Sequence, residues 1–258
     1  MPLTAAQKAA IETTIKESIR AKLKNYTPET KVMPFHYRLL GKDRMALYSF
    51  IQSLNTTFGV SIFEPVAVTL AQNNFKIVKR QVTPHNQISE KAHRAIQHII
   101  DNLATTETQP NKSAETETLR RVCRTGKMNT VKLTKVDVWL EKETGELFLL
   151  DLKTVKPNKG DFEKFKRMLL EWTAAELARN PSANVHAIIA IPYNPYAPKP
   201  YRRWTMKGML DIKHELLVGE ELWDFIGGEG AYNDLLGCFE RAGIEMRSEI
   251  DAYFSKFK

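Results

Sequence analysis

Apolar residues recur along the chain in two rhythms, one close to four residues and one of two, and their order sketches a fold. Residues 4–25 carry Ile11, Ile15, Ile19 and Leu23 at four-residue intervals, which is one face of a helix. Helical spacing returns over Met45–Leu54 and Ile62–Gln72, with Gly59 between them. It returns again over Ser89–Leu103, where Ser89 suits an N-cap and Ala92, Ile96, Ile99, Ile100 and Leu103 turn inward. Phe75–Val82 fits either a strand or the exit from the preceding helix. A hairpin is expected over 131–154. A helix from Phe162 to Arg179 follows, with Asp161 as N-cap and Phe162, Phe165, Leu169 and Trp172 as its buried stripe. Val185–Ile191 (VHAIIAI) is almost wholly apolar, as a strand buried on both faces must be. Strand, helix and strand in this order make a crossover, so the two strands are expected to run parallel with a right-handed connection. Leu222–Phe225 and Tyr232–Phe257 read as further helices, and the polar run Ala104–Thr118 (ATTETQPNKSAETET) as an exposed loop. The expected class is therefore α/β, a mixed β-sheet flanked by helices with helical additions at both termini. It is read as a single domain with an N-terminal helical part (1–72), a core (131–192) and a C-terminal loop-and-helix part (193–258).

Composition narrows the class of partner. The 258 residues are 43% hydrophobic and 26% charged, in the range of globular proteins, and carry a formal charge of +8. An excess of Lys and Arg suits a polyanion. Cys123 and Cys238 stand far apart, and the six His form no zinc-ligand pattern, so reduced thiols and no structural zinc are expected. The N-terminus is amphipathic rather than signal-like, and no apolar run reaches the roughly 20 residues that span a bilayer. A cytoplasmic protein with no membrane partner is the expectation.

The candidate chemistry lies in VKLTKVDVWLEKETGELFLLDLKTVKPN, Val131–Asn158. Side chains on a strand alternate, so Leu147, Leu149, Asp151 and Lys153 share one face. Whether Asp137 joins them depends on the turn. A two-residue turn at Thr144-Gly145 would place Asp137 opposite Leu152. A three-residue loop, Glu143-Thr144-Gly145, would place it opposite Asp151, and Gly145 suits the left-handed last position of such a loop. Opposed carboxylates would then have Cβ atoms roughly 4.5–5.5 Å apart. Like charges at that distance call for a cation, and Mg²⁺ takes one or two carboxylates together with waters and phosphate oxygens. Metal held by Asp137 and Asp151, with Lys153 orienting or activating water, would suit phosphodiester hydrolysis. Glu64 is a further candidate acid, as catalytic group and metal ligand; it also fits a helix N-terminal acid placed for the dipole, with Pro65 in the first turn. An ordinary hairpin with two solvated acids is the alternative.

Two segments carry candidate DNA contacts. Lys156, Lys159 and Lys164 follow the D-x-K triplet and could track phosphates, or form a plain solvated face. Tyr193–Trp204 (YNPYAPKPYRRW) offers Asn194, Lys199, Tyr201, Arg202 and Arg203; Arg and Asn can read base edges, while prolines and aromatics could equally pack the loop onto the core.

The acid–DxK order together with the Glu-bearing helix resembles the type II restriction endonucleases of the PD-(D/E)xK superfamily. Within it, FHYRLLGKDRMALYSFIQSLNTTFGVSIFEPVA (Phe35–Ala67), VDVWLEKETGELFLLDLKTVKPN (Val136–Asn158) and GEELWDFIGGEGAYNDLL (Gly219–Leu236) resemble the TdeIII family. The resemblance implies a restriction-endonuclease-like core and a Mg²⁺-dependent endonuclease. Its expected form is a homodimer acting on double-stranded DNA at a short palindrome of the GGNCC kind. A cognate methyltransferase would protect the same site without needing to bind the enzyme. Asp137, Asp151 and Lys153 take the catalytic positions, and Glu64 that of the acid on the first core helix. Val136 stands where the motif has Pro. A structure-specific or repair nuclease of the same superfamily and a non-catalytic DNA-binding protein are the competing functions.

Overall fold

The computed structural model describes residues 3–29, 33–153, 161–201, 206 and 208–257. Helices α1 (Ala5–Asn25), α2 (Pro34–Leu40), α3 (Lys42–Phe58) and α4 (Glu64–Ala71) come first, and strand β1 (Ile77–Val82) follows. Then come β2 (Gln87–Ser89), α5 (Glu90–Ala104), α6 (Lys112–Val122) and β3 (Met128–Thr130). The centre of the fold is β4 (Val136–Glu141), β5 (Leu147–Leu152), α7 (Asp161–Arg179) and β6 (Val185–Ile191). The chain finishes with α8 (Ile212–Glu215), β7 (Leu216–Val218), α9 (Glu220–Gly227), α10 (Ala231–Glu245) and α11 (Arg247–Phe254).

Five strands form one mixed sheet in the order β1-β4-β5-β6-β7. β1, β4 and β5 are antiparallel neighbours, whereas β5, β6 and β7 run parallel. The sheet is covered on both sides. On β5, Phe148 and Leu150 face a cluster with Val66, Leu70, Leu222, Ile226 and Leu235, whereas Leu147 and Leu149 face Phe162, Leu169 and Trp172 of α7. Burial on both faces is why β5 and β6 read as apolar runs. A third cluster joins Ile96 and Ile100 of α5, Leu119 of α6 and Leu170, Ala174 and Leu177 of α7. The mixed sheet flanked by helices is the α/β architecture expected from the pattern, and β5–α7–β6 is the parallel crossover. Within the expected hairpin of 131–154, the strands are β4 and β5.

Three local departures follow from physical causes. Gly59 does not separate two helices; at φ −53° it stays right-handed and opens a π-helical turn, Gly59–Phe63, that joins α3 to α4. Ser18 Oγ donates to the Ser61 carbonyl there, at 2.6 Å. The polar run 104–118 is not an exposed loop throughout, because its second half begins α6. Asn111 Oδ1 accepts from the Ala114 N–H at 3.0 Å as the N-cap, and Lys112 and Glu115 are buried in ion pairs. Polarity there marks internal charge pairing rather than solvation. Finally, β7 is only three residues long, too short to leave a periodic signal, yet it extends the sheet beyond β6.

Candidate active site

The hairpin β4–β5 fixes the site. Glu141 pairs with Leu147, Lys142 N–H donates to Glu146 O at 3.0 Å, and the loop between them is Glu143-Thr144-Gly145. Gly145 has φ +83°, the left-handed position where glycine is favoured. The pairing continues to Val138 with Leu150, and the ladder ends there, one residue short of Asp137 and Asp151. The three-residue loop is thus the one adopted. At that end of the hairpin, the Leu152 N–H donates to Asp137 Oδ2 at 2.8 Å, so the carboxylate is held by strand backbone.

Asp151 is 1% exposed, and its Oδ1 accepts from Lys153 Nζ at 2.7 Å. Lys153 Nζ also lies 5.4 Å from the centroid of the Phe165 ring on α7. Glu64, 1% exposed, sits directly after the π turn. Its carboxylate is held by Gln81: Nε2 donates to Glu64 Oε1 and Oε2 at 2.9 and 3.0 Å and to Asp137 Oδ1 at 3.1 Å. A helix-dipole role for Glu64 does not describe this geometry, because α4 continues the π turn and the acid is committed to Gln81. Gln81 is the residue that pattern reading missed. Nothing in KRQV marks it, and its signature is a left-handed backbone, φ +54°, one residue before the end of β1.

Burial raises all three acids above their ordinary range. Burial pushes Glu64 up to about 7, with the Asp137 charge adding to it and the Gln81 bond opposing it. Asp151 is pushed up to about 6 by burial, against the neighbouring Lys153 cation. Asp137 is raised as well, again by burial, with the Leu152 N–H and Lys153 pulling the other way.

Among the described residues, no three His, Cys, Asp or Glu side chains converge tightly enough to enclose a metal ion by themselves. A magnesium ion does not need that, since two carboxylates suffice when waters and phosphate complete the shell. The donor set fits on one further count. Asp151 Oδ2 is buried and has no hydrogen-bond partner among the described residues, a bare acceptor of the kind a hard cation satisfies. A cleft of about 870 Å³ opens beside the acids, with Glu64, Asp137, Lys153, Phe63, Tyr193 and Trp223 among its lining residues.

The candidate DNA contacts fare unevenly. Lys164 is exposed near the start of α7, and Lys199 is exposed on the loop after β6. Asn194 is occupied within that loop: Nδ2 donates to Lys199 O at 2.8 Å and Oδ1 accepts from Tyr196 N–H at 2.9 Å. Tyr201 is half-buried, its ring 5.8 Å from that of Tyr196. Lys156, Lys159, Arg202 and Arg203 lie outside the described residues.

Known proteins resemble the chain over most of its length. A family model described as "Type II restriction endonuclease, HinfI" matches residues 3–243. The type II restriction enzyme HgiCII of Herpetosiphon aurantiacus is 26% identical over 221 residues, covering 84% of this chain and 80% of its own. HgiEI from the same organism is 25% identical over 239 residues, covering 91% and 85%. The type II restriction enzyme MjaII of Methanocaldococcus jannaschii is 30% identical over 200 residues, covering 72% and 51%. The family matched is HinfI, while the likeness to TdeIII stays a likeness. By the extent of these matches, the chain belongs to the HinfI family of type II restriction endonucleases and is a site-specific deoxyribonuclease.

Proposed function

We propose that this endonuclease hydrolyses DNA with Mg²⁺ held by Asp137 and Asp151 at the end of the β4–β5 hairpin, as in the PD-(D/E)xK superfamily. The observation that carries the proposal is that Asp137 and Asp151 lie next to the last recorded pair of the hairpin, Val138 with Leu150, with Asp137 accepting from the Leu152 N–H and Lys153 bonded to Asp151. The ion, when bound, polarises the scissile phosphate and acidifies a water. Lys153 donates to the attacking water and to the phosphate, keeping the nucleophile in line as the bond to the leaving sugar oxygen breaks. Glu64 would serve as a further acid for the metal, through water. Exposed Lys164 and Lys199 neutralise backbone phosphates; Lys156, Lys159, Arg202 and Arg203, which lie outside the described residues, are proposed as further phosphate contacts on their charge alone. Asn194 and Tyr201 act in DNA contact by shaping the loop that carries Lys199.

The substrate is a short palindrome, of the GGNCC kind by likeness to TdeIII. One set of acids per chain and a two-fold symmetric site are met by a homodimer. A methyltransferase modifying the same sequence would spare host DNA. The test is digestion of unmethylated phage DNA with Mg²⁺ or with EDTA, beside Asp151→Ala. Discrete Mg²⁺-dependent bands that vanish in the variant are expected. Equal digestion by the variant would overturn the assignment.

A further inference from the structure

β1 and β4 pair in an even register from Ile77–Glu141 to Arg80–Val138 and again at Val82–Val136, which brackets Gln81 and Asp137 as the one step between them where regular pairing is interrupted. Interruption there changes the direction of the strand's side chains. Ile77 packs with the α7 cluster and Val78 with the opposite one, as alternation requires. Val82 should then lie with Val78, but it packs with the α7 cluster. Its partner Val136 packs with the α7 cluster too, while Val138 packs with the opposite one, so both strands change phase at the Gln81–Asp137 step, where Gln81 has a left-handed backbone and the register is unchanged. Strict alternation would have sent Gln81 toward α7 as well; instead it reaches Glu64 on α4, in the other layer. A non-glycine residue held at positive φ beside an active site is a feature that the surroundings must maintain.

The amide at this place does an unusual task. One NH₂ group donates to three carboxylate oxygens on two acids, all within 2.9–3.1 Å. It thus occupies two of the acids, Glu64 and Asp137, that the proposed metal site would draw on. We propose that Gln81 is a positioning residue that holds the place of the metal: its amide keeps Glu64 and Asp137 together before the ion arrives and turns aside when the ion takes over. This inference rests on the metal site proposed above and goes beyond it by predicting a competition. An amide donor is neutral, so it spaces the acids without cancelling their charge, and an incoming cation gains more from them than the amide loses.

The competition is measurable without cleavage. Mg²⁺ binding would be followed by calorimetry, and melting temperature recorded with and without Mg²⁺, for the parent protein, Gln81→Leu and Gln81→Gly. Leucine keeps the bulk and removes the donor; glycine removes both but accepts positive φ, so a fold that fails with leucine is still testable with glycine. The expected result has two parts. Both variants melt lower than the parent without metal, and the gap closes at saturating Mg²⁺. Both also bind Mg²⁺ more tightly than the parent, by up to about tenfold, the factor for losing one or two competing hydrogen bonds. Weaker Mg²⁺ binding in both variants would make Gln81 a required ligand and overturn the placeholder role. A melting gap that Mg²⁺ leaves unchanged would overturn it too, in favour of a purely structural clamp. Absence of Mg²⁺ binding by the parent itself would instead refute the metal site, a failure distinct from that of Gln81.

Discussion

Glu64→Gln isolates the electrostatic burden of a metal-free active site. Glu64 ordinarily titrates at 4.5 and is pushed up to about 7 when folded, mainly by burial. A folded-state pKa above the unfolded one means the native protein binds the proton more tightly. The resulting stabilisation is complete below pH 4.5 and is lost as pH rises through about 7. Glutamine does not titrate, so the parent should lose stability relative to the variant across that window. At about 1.4 kcal/mol per unit, the relative loss is on the order of 3 kcal/mol. In a chain of this size that corresponds to roughly 6–12 °C of melting temperature. The assay is a pair of melting curves at pH 5 and pH 8 in EDTA, for parent and variant. Groups common to both proteins, such as His186, which burial holds below its usual range, cancel in the difference. Saturating Mg²⁺ at pH 8 should shrink the difference, because a cation offsets the carboxylate charge. A difference that is the same at both pH values, or that grows toward acid, would refute the burial argument.

Other consequences are as direct. Lys166 is fully buried and donates to Glu115 and Glu215 at 2.5 and 2.6 Å, so Lys166→Met leaves uncompensated buried charge and should cost about 3–5 kcal/mol in a urea titration. Lys153→Arg should lose most cleavage while leaving DNA affinity near the parent's, because a planar fork cannot sit beside Asp151 and the Phe165 ring as a compact ammonium does; gel-shift and cleavage assays separate the two effects. Lys164→Ala and Lys199→Ala should each flatten the slope of log affinity against log salt by roughly 0.9, measured by anisotropy on duplex DNA, with no change in sequence preference.

How far the sequence alone reveals this site can be judged from its members. The nearness of Asp137, Asp151 and Lys153 is legible because the hairpin keeps one register and Gly145 selects the loop that sets it, whereas the break in alternation beside Asp137 is not. Glu64 was legible only as an acid next to a proline; the π turn that aims it leaves no pattern, since Gly59 looks like a helix breaker. Gln81 was invisible, because its role comes from one backbone angle rather than from residue type or spacing. α6 is hidden for a related reason: Lys112, Glu115, Lys166 and Glu215 form one buried cluster, and a charge in a sequence does not announce whether water or another charge will satisfy it. Asn194 has the chemistry of a base reader, but its amide is spent inside its own loop.

The turn at Glu143-Thr144-Gly145 bears on how this enzyme can diverge. Surface loops are ordinarily where related proteins gain and lose residues most freely, and this loop is exposed, with open space around Gly145. Its length is nevertheless tied to the chemistry at the far end of the hairpin. Adding or deleting a single residue would slide one strand by a step and turn either Asp137 or the Asp151–Lys153 pair to the opposite side of the sheet. Substitutions that keep three residues and a glycine should be harmless, while single-residue indels should silence the enzyme with the fold intact. Variation here is constrained in length, not in composition.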